Sequence, residues 1–158
     1  MDNANPTFVI PRELQPSALR RFMRRTLYLR LLDGQFIMWC FETNRLCRKR
    51  SELLSHPRVA VADPQAFAGV LQGAMRDVGM SRLFRRHTIL ILHCLKGLGG
   101  ALTPLETQAL FQVSRRLGAA EFFFLPPEQI RQMTDAAIVT LCQEVGALRR
   151  QLTKKRTR

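Results

Sequence analysis

Phe67, Val70, Leu71, Ala74, Met75 and Val78 repeat at i, i+3, i+4, i+7, i+8 and i+11. At 100° per residue all six lie on one stripe, so the segment predicts an amphipathic helix that needs a core to cover. Asp63 followed by Pro64 supplies an N-cap and a residue suited to the first helical position. Gly79 closes the segment.

Other stretches carry helix signals of the same kind. Thr103-Pro104-Leu105-Glu106 spells a capping box, for a helix reaching about Leu117 with Gly118 as its C-cap. Pro127 opens a long segment in which Ile130, Met133, Ala137, Leu141, Val145, Leu148 and Leu152 fall three or four apart. Ser81 can cap a helix to about Lys96, apolar nearly all round from Ile89 to Leu95, which reads as a central buried helix. After Pro16 or Ser17, Leu19, Phe22, Met23, Thr26, Leu27 and Leu31 share a face. Asp33-Gly34 between two apolar runs is also a hairpin signal. Phe36 to Phe41 is apolar on both faces rather than alternating, which favours two helical pieces broken near Gly34. Asn44 can cap a helix over Arg45–Ser55, stopped by His56-Pro57, and Ala119–Pro127 reads as an apolar connector. These segments predict an all-α protein, a compact bundle of about six helices. Residues 1–15 form a flexible arm, 16–148 a single helical domain and 149–158 a basic tail.

Charge narrows the partner. Twenty-five Lys and Arg against twelve Asp and Glu leave +13, spread along the whole chain, beside 46% hydrophobic residues. Such an excess raises self-repulsion, and a polyanion is its simplest reason. Arginine predominates, and its planar fork suits phosphate.

Three groups of cations are candidate nucleic-acid contacts. As a helix, the stretch FETNRLCRKRSELL puts Leu46, Cys47, Leu53 and Leu54 on a core face and Arg45, Arg48 and Lys49 outside. Arg50 falls in the apolar arc and must snorkel or find a partner. Cations in a first turn oppose the helix dipole, so an anionic partner is their better explanation, and helix-turn-helix proteins read the major groove with that end. Arg20, Arg21, Arg24 and Arg25 stack like charges at i, i+4, a cost that phosphates remove. Lys154, Lys155 and Arg156 belong to a tail suited to sequence-independent contact. Met133, Ala137, Leu141, Val145 and Leu148 are candidates for a dimer seam.

Other chemistry is poorly supplied. Cys40, Cys47, Cys94 and Cys142 have neither disulfide nor zinc spacing and read as reduced, mostly buried thiols. His93 and Cys94 are adjacent and diverge on a helix, so no metal site is expected. No nucleophile motif appears, so neither an enzyme nor a cofactor is expected. Residues 1–15 lack the basic start and apolar core of an export signal, and no apolar run approaches the roughly 20 residues of a membrane span. The expected compartment is the cytoplasm, with nucleoid association if bacterial or the nucleus if eukaryotic or viral.

Two stretches resemble the bacterial flagellar master transcriptional regulators. ETNRLCRKRSELL is similar to a helix near the start of the FlhC subunit, with the basic run shifted by one position. RRLGAAEFFFLPPEQIRQMTDAAIVTLC is similar to an FlhD stretch. The resemblance implies transcription regulation by a complex of two subunit types, with Arg45, Arg48 and Arg50 in a DNA-contacting helix. The four-cysteine zinc site of FlhC has no counterpart here. The expected function is a nucleic-acid-binding regulator, DNA before RNA, acting as a homo- or hetero-oligomer. The alternatives are a helical adaptor or viral accessory protein meeting an acidic protein or anionic membrane, or a non-specific RNA-binding or packaging protein.

Overall fold

A computed structural model describes residues 8–16, 24–56, 59–80, 87–95, 102–125 and 134–156. The strands are β1 (Arg25–Leu32), β2 (Gln35–Cys40), β3 (Arg45–Arg50), β4 (Thr88–Cys94) and β5 (Glu121–Phe124). The helices are α1 (Pro64–Asp77), α2 (Pro104–Arg116) and α3 (Asp135–Arg156). Short 3-10 turns occupy Arg12–Leu14 and Glu52–Leu54.

The five strands form one mixed sheet in the order β3-β2-β1-β4-β5. β1, β2 and β3 run as an antiparallel meander, while β4 lies parallel to β1 and β5 parallel to β4. One face carries Leu27, Leu29, Leu31, Phe36, Met38, Leu90 and Leu92, covered by α1 and α2. The other carries Tyr28, Trp39, Ile89 and Ile91, covered by α3 and by Phe8, whose ring stacks on Trp39 at 4.3 Å. The result is three layers with helices on both sides of the sheet.

The all-α bundle of about six helices is therefore wrong, and so is the helix-turn-helix-like arrangement. Two helices stand where the periodicity puts them. Asp63 accepts from the amides of Gln65 and Ala66 to start α1, and the Thr103–Glu106 capping box starts α2. The long C-terminal helix is present over Asp135–Arg156, and Ser81–Arg86 and Pro126–Met133 lie outside the described residues. Thr26–Leu31, Phe36–Cys40, Arg45–Arg50 and Ile89–Cys94, expected as helices, are strands, and the connector before Pro126 contains β5.

The physical reason is burial on both faces. β4 is buried at all seven positions because β1 and β5 flank it and helices cover both sides. A strand covered on both faces shows a continuous apolar run instead of alternation, and such a run has no period to separate it from a buried helix. The hairpin signal at Asp33-Gly34 does hold. Gly34 adopts φ 67°, and a Cβ there would lie 3.2 Å from the Ser55 hydroxyl. Leu32 pairs with Gln35 across that turn.

Candidate nucleic-acid interface

β3 forms one end of the sheet and carries Arg45, Arg48, Lys49 and Arg50. It is placed by the turn Phe41–Asn44, in which Asn44 takes a left-handed φ of 50°. Trp39 Nε1–H donates to the Asn44 side chain at 3.1 Å, and the Thr43 hydroxyl donates to the Val78 carbonyl at 2.8 Å. Asn tolerates the left-handed turn conformation, and here its amide is held by a buried ring.

Strand geometry regroups the cations. Successive side chains alternate, so Arg48 and Arg50 share a face with Leu46, while Arg45 and Lys49 share the opposite face with Cys47. A helix would group Arg45, Arg48 and Lys49 outward and place Arg50 in the core arc. Arg50 is in fact exposed. Arg48 lies opposite Ile37 and Arg50 opposite Gln35.

Beside these cations an open groove of about 650 Å³ is lined by Asp33, Gly34, Gln35, Arg48, Lys49 and Arg50. Its floor is fixed by the backbone. The Gly34 amide donates to the Leu54 carbonyl at 3.2 Å, and the Ser51 amide donates to the Gly34 carbonyl at 3.0 Å. The hairpin tip and the 3-10 turn thus hold each other. Asp33, Gly34 and Gln35 are not among the sequence candidates. Asp33-Gly34 as a hairpin tip is the signal that could have found them.

The cations of the groove differ in engagement. Lys49 Nζ contacts Asp77 Oδ2 at 2.6 Å, and the Cys47 thiol donates to the same oxygen at 3.6 Å. The bond to Lys49 pulls the Asp77 carboxyl below its ordinary range, and the same bond raises Lys49. Both groups are solvated, so the pair adds little stability. Arg48 Nε is buried and has no hydrogen-bond partner among the described residues. An unmet donor beside an open groove is a place for an anion.

The remaining candidates lie elsewhere. Arg24 and Arg25 sit at the beginning of β1, and seven residue steps of about 3.3 Å put them roughly 23 Å from the groove end of that strand. Arg25 is buried near Glu42, whose carboxylate accepts from the Thr26 amide and hydroxyl at 2.6 and 2.9 Å. Arg20, Arg21 and Met133 lie outside the described residues, as do the side chains of Leu148, Lys154, Lys155 and Arg156. Val145 is buried against the sheet, Leu141 packs on the same cluster, and Ala137 is half-buried. Of the expected dimer seam, Val145 and Leu141 thus contact the chain's own core.

A second polar cluster has no counterpart in the sequence reasoning. Arg30 Nε donates to the Tyr28 hydroxyl at 2.9 Å, and Arg30 Nη2 to Asp135 Oδ1 at 3.0 Å. The Tyr28 hydroxyl is hydrogen-bonded to His93 Nδ1. Burial first, then the Arg30 charge, pushes His93 down to about 4, while burial raises Tyr28. His93 and Cys94 are successive strand residues and point to opposite faces. Among the described residues no group of three His, Cys, Asp or Glu converges as a metal site would, and no helix is long and apolar enough to cross a membrane. The four cysteines are buried thiols that form no disulfide.

Compared with family models, curated proteins and solved structures, the chain matches none.

Proposed function

We propose that this chain is a nucleic-acid-binding regulator that holds phosphates on the ledge formed by β3 and the Asp33-Gly34 turn. One observation carries the reading: Arg48, Lys49 and Arg50 line a single open groove, and Arg48 Nε has no described partner there. The net charge of +13 supplies attraction at longer range. The interface is a strand rather than a helix. Strands also enter nucleic-acid grooves, because the major groove admits a two-stranded ribbon. Arg48 and Arg50 project from one face of β3 about 7 Å apart along the strand, two residue steps, and serve as the principal phosphate contacts. Lys49 contributes when it leaves Asp77. DNA is the first partner to test and RNA the second.

The test is binding of the purified chain to duplex DNA, single-stranded RNA and anionic vesicles across a salt series. Binding to nucleic acid should weaken log-linearly with salt. Replacing Arg48 and Arg50 together by Ala should lower the salt slope by about 1.8, roughly 0.9 per lost duplex-phosphate contact. Absence of binding to either nucleic acid at low salt refutes the reading. Vesicle binding alone would move the partner to a membrane surface.

A further inference from the structure

Rows of paired residues cross the sheet on the face away from α1 and α2. Tyr28, Trp39 and Leu46 form one row, and Arg30, Ile37 and Arg48 form the next. Gln35 and Arg50 belong to the row after that. Arg48 and Arg50 therefore adjoin an aromatic platform, with about 7 Å between successive rows. The face is open at β3, where Leu46 is 38% exposed. Trp39, its partner on β2, is buried beneath the Phe8 ring. That ring stacks on Trp39 at 4.3 Å with 17° between the planes, and it meets Tyr28 edge-on at 5.7 Å. The Arg30 guanidinium lies 5.9 Å from its centroid.

Phe8 arrives on a segment that is not part of the sheet. Among the described residues, the backbone of 8–16 makes hydrogen bonds only within itself: the amides of Leu14 and Gln15 donate to the carbonyls of Pro11 and Arg12. Phe8, Ile10 and Leu14 attach the segment by apolar contact, and Val9 is exposed. A segment held by a few buried side chains and no shared ladder opens more easily than a strand.

We propose that Phe8 holds the place of a nucleobase, and that a single-stranded nucleic acid binds by exchanging one base for the Phe8 ring on Trp39 while Arg48 and Arg50 take its phosphates. The inference rests on the reading of β3 as a phosphate-binding ledge, and it gives that ledge its partner class. A flat ring parallel to an indole, edged by a second aromatic and faced by a guanidinium, is the setting in which proteins stack unpaired bases. A duplex keeps its bases inside its own stack and supplies none without unpairing. Exchange is close to balanced, because a base stacked on an aromatic ring gains about as much as a phenylalanine loses on leaving a buried site. Arg48 lies diagonally across from Trp39, within reach of the backbone of a base seated there. Its Nε has no partner among the described residues. Phe8 thus acts as an internal competitor that strands with bases displace and bare phosphate does not.

The chain has a single tryptophan, so its emission reports on the platform directly. The full chain is titrated at low salt with oligo(dT), oligo(U), an abasic strand of the same length and duplex DNA. Anisotropy of the labelled strand and Trp39 emission are followed together. The base-bearing single strands should quench Trp39, while the abasic strand and the duplex bind without quenching. The abasic strand should bind at least about fivefold more weakly than oligo(dT). Phe8→Ala should tighten binding of oligo(dT) and oligo(U) by roughly fivefold or more and leave duplex binding unchanged, because the competitor is gone. If that variant fails to fold, quenching in the parent chain carries the test. Single strands that bind without quenching Trp39, or an abasic strand that binds as tightly as oligo(dT), overturn the exchange and leave the ledge standing. Absence of binding by every strand overturns the ledge and the exchange together.

Discussion

Arg30 and His93 face each other in the parallel register of β1 and β4, and the Tyr28 hydroxyl joins them. The hydroxyl accepts from Arg30 Nε and is hydrogen-bonded to His93 Nδ1. Burial and the Arg30 charge favour the neutral form of His93, whose Nε2 is buried and has no partner among the described residues. A cation cannot be added there cheaply, because Arg30 already supplies one.

A pH dependence of stability follows. Burial and Arg30 hold His93 at about 4, against an ordinary value of 6.5. Above pH 6.5 the residue is neutral in both folded and unfolded chains and contributes no slope. As pH falls below that value the unfolded chain takes up a proton and the folded chain does not, so stability declines until about pH 4. The full loss is on the order of 3 kcal/mol. His93→Gln keeps an acceptor for Tyr28 but has no titration. Urea midpoints measured from pH 7 to 4 should fall less steeply in that variant, and equal slopes would show that His93 is not the group responsible.

The same cluster fixes α3 to the sheet. Arg30 bonds Asp135 at 3.0 Å and lies over the Phe8 and Tyr28 rings. Asp135→Ala removes one partly exposed ion pair and should cost about 1 kcal/mol or less. Arg30→Ala also removes the bond to Tyr28 and the ring contacts, and should cost about 2 kcal/mol. It should further raise the pH at which the acid limb flattens, because His93 loses its cationic neighbour and its folded value moves back towards 6.5. The acid loss in Arg30→Ala is therefore smaller than in the parent. Chemical denaturation of the two variants gives the order, and a costlier Asp135→Ala would contradict it.

Backbone conformation sets two glycines apart. Gly34 sits at φ 67°, and a methyl group added there would stand 3.2 Å from the Ser55 hydroxyl, whereas Gly69 on α1 has nothing within 4 Å. Gly34→Ala should destabilise by about 1–2 kcal/mol and widen the groove mouth it helps to shape. Gly69→Ala should stabilise by roughly 0.5–1 kcal/mol through helix propensity alone. Thermal melts of both variants check the opposite signs.

What could be read in advance divides along physical lines. α1 and α2 were legible because each has one covered face, so their apolar residues recur with the helical period and their caps sit at the ends. β1 and β4 were not, because Leu27–Leu31 and Ile89–Cys94 are covered on both sides and lose the strand alternation. Arg45–Arg50 fits either period over six residues, and only pairing with β2 decides it. The cations of the groove were legible as residue types from charge alone. Their grouping was not, since changing the period from helix to strand moves Arg50 from the core arc to the face of Arg48. The Arg30–Tyr28–His93–Asp135 cluster joins residues more than a hundred positions apart, a relation that no local pattern contains.

Asp77 restrains the basic ledge. Its carboxylate holds Lys49 at 2.6 Å and places a negative charge beside a groove otherwise lined by three cations and Asp33. Asp77→Asn keeps the shape of the C-terminal turn of α1 while removing that charge. Lys49 is then released towards solvent, and an approaching phosphate no longer meets a competing anion. The pair is solvated and weak, so nucleic-acid affinity should rise only roughly two- to fivefold at low salt. The salt slope should steepen by up to about 0.9 if Lys49 gains a full duplex-phosphate contact. Adding Lys49→Ala to Asp77→Asn should cancel the steepening, because the cation that produces it is gone. Fluorescence anisotropy with the single and double variants measures both quantities, and an Asp77→Asn chain that binds no tighter than the parent would remove Lys49 from the phosphate contacts and leave them to Arg48 and Arg50 on the opposite face of β3.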